Sequence, residues 1–238
     1  LRFKIDGSID LKFKDSYEDY MMEKCGGDEL PNPKKAKHGI FHNQRPWEYD
    51  KVFRYGSFRA GDVVLDTGAM HTYFCIYLAQ FVKQVYATDS FYWAGRDYME
   101  RERLFRPEKW MAYVEEKGGG RIKAESADLQ NLQYPDRTFD KVLCISTIEH
   151  VKDDIGGIKE LARVIRPGGR LLLTTEFNFH IGKEYSEKDG SYYRIYTRKT
   201  FEKLIARSGL KLSKSVLVEK RPFFSYRRHV NAFAALEK

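Results

Sequence analysis

Cysteine is scarce in this 238-residue chain. There are three, Cys25, Cys75 and Cys144, far apart and with no C-x-x-C pair. So small and odd a set excludes a disulfide-stapled scaffold and a cysteine zinc cluster, and no metal site is expected. Cytoplasmic residence follows as the default. No apolar run approaches the roughly 18–20 residues of a membrane-spanning helix, so no membrane partner is expected. The opening LRFKIDGSID has no apolar signal-peptide core. It begins with Leu rather than Met, and the chain is expected to be a processed product or part of a larger polypeptide. No internal repeat is visible. With 42% hydrophobic and 32% charged residues, the composition is that of a globular domain, not of a disordered or collagenous chain.

The net charge is +8. A basic balance favours anionic partners such as phosphorylated substrates, nucleic acid or a membrane surface without choosing among them, although it also serves solubility. The basic residues are dispersed except at Lys34–Lys37 and Lys220–His229.

After Gly61 the chain alternates short apolar runs with helical stretches, the pattern of βαβ units and a parallel sheet. Strands are expected at Asp62–Asp66, Gln84–Thr88, Arg121–Ser126, Phe139–Ser146, Arg170–Thr175, Lys214–Glu219 and Asn231–Glu237. Helices are expected at Trp47–Tyr55, Phe74–Val82, Ile155–Arg166 and Thr200–Ser208. Asp153 or Asp154 caps the third of these, and Pro167-Gly168-Gly169 ends it. Residues 1–60 read as polar and turn-rich, with no clear strand. Right-handed crossovers then give an α/β, doubly wound, mostly parallel seven-stranded sheet. Ligands bind such sheets beyond the carboxyl ends of the strands.

Three acids stand at those ends. Asp66 precedes the turn Thr67-Gly68-Ala69-Met70-His71-Thr72, whose backbone N–H groups could seat an anionic group. With one glycine, this turn does not make the G-x-G-x-x-G dinucleotide fingerprint, which disfavours a nicotinamide oxidoreductase. Asp89 ends the second strand, where an acid commonly takes ribose hydroxyls. Asp128, followed by Leu129, ends the third and is placed to accept from an adenine amino group. For each acid alone, a helix cap or turn is the bland alternative. Together they suit a cofactor with an adenosine and a cationic centre, such as S-adenosylmethionine.

On these residues the chain resembles the class I S-adenosylmethionine-dependent methyltransferases of the small-molecule type. VVLDTGAM resembles their cofactor loop and VYATDSF their ribose-binding strand end. ESADLQNLQYPDRTFDKVLCISTIEHV is similar to the adenine segment and fourth strand. ELARVIRPGGRLLLTTEF resembles the following helix and fifth strand, and HVNAFAALEK the antiparallel last strand. The resemblance implies a Rossmann-like methyltransferase fold over 44–238, with an N-terminal extension over 1–43. It implies cofactor contacts from Asp66, Gly68 and Ala69 at the methionine end, Asp89 and Ser90 at the ribose, Asp128 and Leu129 at the adenine, and Ser146 beside them. Glu149 and His150 would face the junction of cofactor and acceptor. Met70 and Thr72 stand where the family loop carries further glycines, and side chains there would narrow or fill the pocket.

His150 is the first candidate for a catalytic base, since its charge changes near neutrality; Glu149 accompanies it. His71 lies in the cofactor turn. The long segment after the fifth strand holds His180, Lys183, Tyr193 and Arg194, which could hold an anionic or sugar-like acceptor. Tyr49 and Trp47 could close the pocket from the N-terminal side, with core packing the plainer role for Trp47. The expected activity is methyl transfer to a hydroxyl or amine of a small molecule or glycan. A nucleic-acid methyltransferase and a non-catalytic domain of a larger protein stay open. The first is less favoured because the fourth strand ends in STIEHV rather than the Asn/Asp-Pro-Pro-aromatic pattern of many base-amino methyltransferases.

Overall fold

The computed structural model describes residues 1–26, 45–71, 73–92, 106–186, 192–220 and 229–238. The basic stretch Lys34–Lys37, most of the Lys220–His229 stretch, and Thr72 lie outside the described residues.

All seven expected strands form. They are β2 (Val63–Thr67), β3 (Gln84–Asp89), β4 (Ile122–Ser126), β5 (Phe139–Ile145), β6 (Ile165–Phe177), β10 (Val216–Glu219) and β11 (Val230–Glu237). Two more join the same sheet, β1 (Phe3–Asp6) and the short β9 (Lys211–Leu212). The order is β1-β10-β11-β6-β5-β2-β3-β4, with β9 paired to β11. β11 runs antiparallel between β6 and β10, whereas β4, β3, β2, β5 and β6 pair in parallel. The order turns around between β2 and β5, so their tips form the switch point where such sheets bind ligands.

The helices are α1 (Leu11–Cys25), α2 (Pro46–Gly56), α3 (Phe74–Leu78), α4 (Pro107–Lys117), α5 (Asp154–Val164) and α6 (Arg198–Ser208). Strand side chains alternate between two apolar layers. Val64, Val85, Leu143 and Leu172 pack with α1 to α4 on one face. Leu65, Val142, Cys144 and Leu173 pack with α5 and α6 on the other. All three cysteines are buried thiols. Among the described residues no helix is long and apolar enough to cross a membrane.

Two expectations need correction. The N-terminal residues do hold a strand, since β1 adds in parallel to the edge of β10. It is fixed by the Trp47 indole, which donates to the Asp6 carbonyl at 2.8 Å, and by buried Lys51, which bridges Asp6 and Asp50. Helix α5 stops at Val164 and the chain enters β6 at Ile165, ahead of Pro167. A residue before proline is pushed out of the helical region, so Arg166 could not continue the helix.

A second sheet, β7 (Lys183–Ser186) with β8 (Tyr192–Ile195), is an antiparallel pair between β6 and α6. Its end is zipped to β6 through Tyr196 N–H to the Glu176 carbonyl and Asn178 N–H to the Tyr196 carbonyl.

Candidate active site at the strand tips

Asp66 lies near the end of β2, on the same sheet face as Val64, and is fully buried. Neither of its carboxylate oxygens has a hydrogen-bond partner among the described residues. Burial first, and then the neighbouring Asp89 charge, push its pKa up to about 8. A buried carboxyl group left without donors is costly unless it is protonated or meets a cation.

Gly68 follows with φ +69°, a region glycine enters without strain. A Cβ at this position would sit 2.1 Å from the Thr147 hydroxyl. The loop after β2 therefore closes against the loop after β5, and no larger residue fits between them. Ala69 and Met70 begin a 3₁₀ turn, Ala69–His71, and both are fully buried. The Met70 side chain belongs to the apolar layer with Tyr73 and Phe74, while its N–H donates to Asp89 at 3.3 Å.

Asp89 ends β3, nearly buried, and also accepts from Phe91 N–H at 2.8 Å. Burial raises its pKa to about 6 against the lowering effect of these donors. Ser90 is exposed, and its hydroxyl accepts from Tyr92 N–H. Asp66 and Asp89 are thus brought together. Asp128 is exposed, and its carboxylate accepts from the backbone and side chain of Gln130 in a local turn. Leu129 beside it is buried with Ile148 and Val151. Gly157 lets Leu129 approach α5, because a Cβ there would lie 2.6 Å from its methyl.

The β5 tip is built differently. Ser146 takes a left-handed conformation, φ 44°. A non-glycine residue held there costs on the order of 1–3 kcal/mol and marks a site the surroundings over-determine. Its N–H donates to Thr174, and its hydroxyl donates to buried Glu48 of α2 at 2.7 Å. Glu48 also accepts from the Thr174 hydroxyl at 2.6 Å and pairs with Arg45 at 3.2 Å. Glu149 and His150 follow in a 3₁₀ turn, Ile148–His150. Glu149 is buried and accepts from the Thr175 hydroxyl at 2.9 Å. Burial and then Glu176 push its pKa up to about 8, so it is mostly protonated at neutral pH. His150 keeps an exposed edge, and its Nδ1 lies 3.3 Å from the Tyr192 carbonyl. Crowding by the chain around it lowers its pKa, with the Tyr192 contact acting in the opposite direction.

The remaining candidates divide. Tyr193 lies with its ring 5.5 Å from that of His150. Arg194 is buried in a network with Asp154, Glu184, Tyr192 and Tyr196. Tyr49 is buried and stacks on Phe74 at 4.8 Å, between α1 and the β2 tip. Trp47 is buried and ties down β1. His180 and Lys183 are exposed. His71 contributes its backbone to the 3₁₀ turn. Glu48, Thr174 and Thr175 were not singled out from the sequence. The polar pair Thr174-Thr175 ending an apolar strand was the available signal; Glu48 gave none.

Residues 65–173 match a family described as a methyltransferase domain. A ubiquinone/menaquinone biosynthesis C-methyltransferase of Bdellovibrio bacteriovorus is 30% identical over 168 residues, 70% of this chain and 62% of that protein. A 27-O-demethylrifamycin SV methyltransferase of Amycolatopsis mediterranei is 45% identical over 53 residues, 22% of this chain and 20% of the relative. The chain thus spans less than two thirds of the length of these curated relatives. Among solved structures, a 1,6-didemethyltoxoflavin-N1-methyltransferase of Burkholderia thailandensis superposes with a TM-score of 0.62 at 17% identity. That match covers 100% of this chain and 94% of the other. The matched residues span β2 to β6, and the sheet, with β11 reversed, has the Rossmann-like methyltransferase fold.

Proposed function

We propose that this chain transfers a methyl group from S-adenosylmethionine to a hydroxyl or amine of a small-molecule or glycan acceptor. One observation carries the reading: Asp66, wholly buried at the switch point, with both oxygens lacking donors among the described residues. The ammonium of the cofactor's methionine end would supply the missing positive charge. Gly68 and Ala69 would leave room for that end, Asp89 with Ser90 would hold the ribose, and Asp128 with Leu129 would take the adenine. Ser146, fixed by Glu48, would line the cofactor from the β5 side.

The cofactor supplies an activated methyl group on a sulfonium. The protein must then align an acceptor, exclude water and take up a proton. Alignment supplies up to roughly 7–11 kcal/mol in well-oriented systems, and a base about 10²–10⁴-fold. His150 suits the base. Its lowered pKa favours the neutral form, and a carbonyl at Nδ1 accepts only from N–H, so the basic lone pair sits on Nε2. Glu149, protonated at that pH, would keep the acceptor end from accumulating negative charge. Tyr193, Tyr49 and His180 are the residues proposed to meet the acceptor.

The test combines binding with turnover. Calorimetry with S-adenosylhomocysteine should detect binding, and acceptor panels of phenols, quinols, amines and glycans should release S-adenosylhomocysteine from S-adenosylmethionine. No heat and no thermal shift at millimolar ligand would assign a non-catalytic role. Methylation of RNA or DNA, with affinity falling steeply as salt rises, would replace the small-molecule acceptor.

A further inference from the structure

The β8 strand has two faces with different work. Its pleat sends Tyr192 and Arg194 to one side and Tyr193 to the other. On the first side each nitrogen of the Arg194 guanidinium has a partner in the protein. Nε donates to Glu184 at 2.9 Å. One terminal nitrogen pairs with Asp154 at 2.5 Å and donates to the Tyr196 hydroxyl at 3.2 Å. The other donates to the Tyr192 hydroxyl at 2.5 Å and the Lys152 carbonyl at 3.4 Å. The rings of Tyr192 and Tyr196 flank the guanidinium at 4.9 and 5.5 Å. Asp154 opens α5, so Arg194 clamps β8 to the start of that helix. Each guanidinium nitrogen is thus already engaged within the protein, away from an acceptor anion.

On the other side, Tyr193 faces His150, and His229 lies 6.5 Å from the Tyr193 ring. Between the two sides, the Tyr192 carbonyl meets His150 Nδ1. The groups acting on His150 come from several elements. Glu176 of β6 favours its charged form, and Arg45 ahead of α2 opposes it. Tyr193 of β8 and Glu149 of its own turn adjoin it.

We propose that Arg194 is a positioning residue for His150: by clamping Tyr192 it holds that residue's carbonyl on Nδ1 and fixes the imidazole tautomer that presents Nε2. This rests on the reading of His150 as the proton acceptor. It assigns Arg194 to the protein framework rather than to the acceptor.

The test reads the tautomer directly, by long-range ¹H–¹⁵N correlation of the imidazole rings, in wild type, Arg194→Lys and Arg194→Met. The spectrum needs no turnover, so its result is separable from failure of the methyltransferase reading, which S-adenosylhomocysteine binding by the wild type reports. In the wild type, His150 should carry its proton on Nδ1. In Arg194→Met the Nε2–H form should appear, kcat should fall roughly tenfold or more, and the pH profile of kcat should shift. Acceptor KM and S-adenosylhomocysteine affinity should stay within about twofold. Arg194→Lys, which retains the charge but not five directed donors, should fall between them. Glu184→Gln loosens the clamp from its exposed side and should move the tautomer in the same direction by less; it also serves if Arg194→Met does not fold. An unchanged tautomer in the folded variants, or a rise in acceptor KM alone, would overturn the proposal, the latter returning Arg194 to the acceptor.

Discussion

Replacing Asp66 by asparagine removes a titratable carboxyl group from a place where the described protein offers no hydrogen-bond partner. The folded pKa is pushed from 3.8 up to about 8. A carboxyl group raised in this way keeps a proton that the unfolded chain has released. Its effect on stability is absent below about pH 4, grows more unfavourable as pH rises through the interval from roughly 4 to 8, and is constant above. Each pH unit in that interval costs about 1.4 kcal/mol, with an upper bound of roughly 4 kcal/mol at pH 7. Asp66→Asn should therefore flatten the pH dependence of the ligand-free melting temperature between pH 4 and 8. Ligand binding gives the sharper readout. If a cofactor ammonium meets Asp66, its pKa drops, and a proton should leave on binding near neutral pH. Calorimetry with S-adenosylhomocysteine in two buffers of different ionisation enthalpy measures the release. In Asp66→Asn the release should vanish. Loss of one charge-assisted hydrogen bond, about 1.5–3 kcal/mol, should weaken binding by roughly 10–150-fold. Binding without proton release in the wild type, or the same release in Asp66→Asn, would refute this reasoning.

Asp89→Ala should weaken S-adenosylhomocysteine binding at least roughly tenfold by calorimetry, because the proposed ribose contacts would be charge-assisted; unchanged affinity in a folded variant would remove the ribose assignment. Gly68→Ala adds a Cβ 2.1 Å from the Thr147 hydroxyl at a positive φ, and a thermal melt should show a loss of about 1–3 kcal/mol together with weaker cofactor binding. His150→Ala should lower kcat by about 10²–10⁴-fold while cofactor affinity stays. Since the His150 pKa is lowered, the midpoint of the acid-side fall in wild-type kcat should lie below the ordinary histidine value of roughly 6.5. A midpoint above that value would identify another group as the base.

The sheet was legible because its strands are short β-branched and apolar runs set between amphipathic helices, and each became a strand at or within a few residues of its expected limits. The segments that escaped notice carry a thinner signal. In α1 the buried residues Phe13, Tyr17, Met21 and Cys25 recur every fourth position, a stripe one residue wide in a polar sequence. In β1 the four residues FKID bury little and become a strand only by pairing with β10, whose sequence lies more than two hundred residues on. The strand-tip rule led to Asp66 and Asp89, whose neighbourhood is local to adjacent parallel strands. It could not reveal Glu48, which serves Ser146 and Thr174 at separations of 98 and 126 residues. Nor could it distinguish Tyr193 from Arg194, adjacent in sequence but turned to opposite faces of β8. That distinction appears only when the positions of Asp154 and His150 are known.

The decisive measurement is a crystal structure of the chain with S-adenosylhomocysteine. The nucleoside should lie across the tips of β2 and β3, its ribose hydroxyls on Asp89 and its ammonium within hydrogen-bond reach of Asp66, with the sulfur facing the turn that holds His150. A ligand seated elsewhere, or an Asp66 carboxyl group sealed from it by the Met70 side chain, would contradict the assignment of these strand tips as the cofactor site.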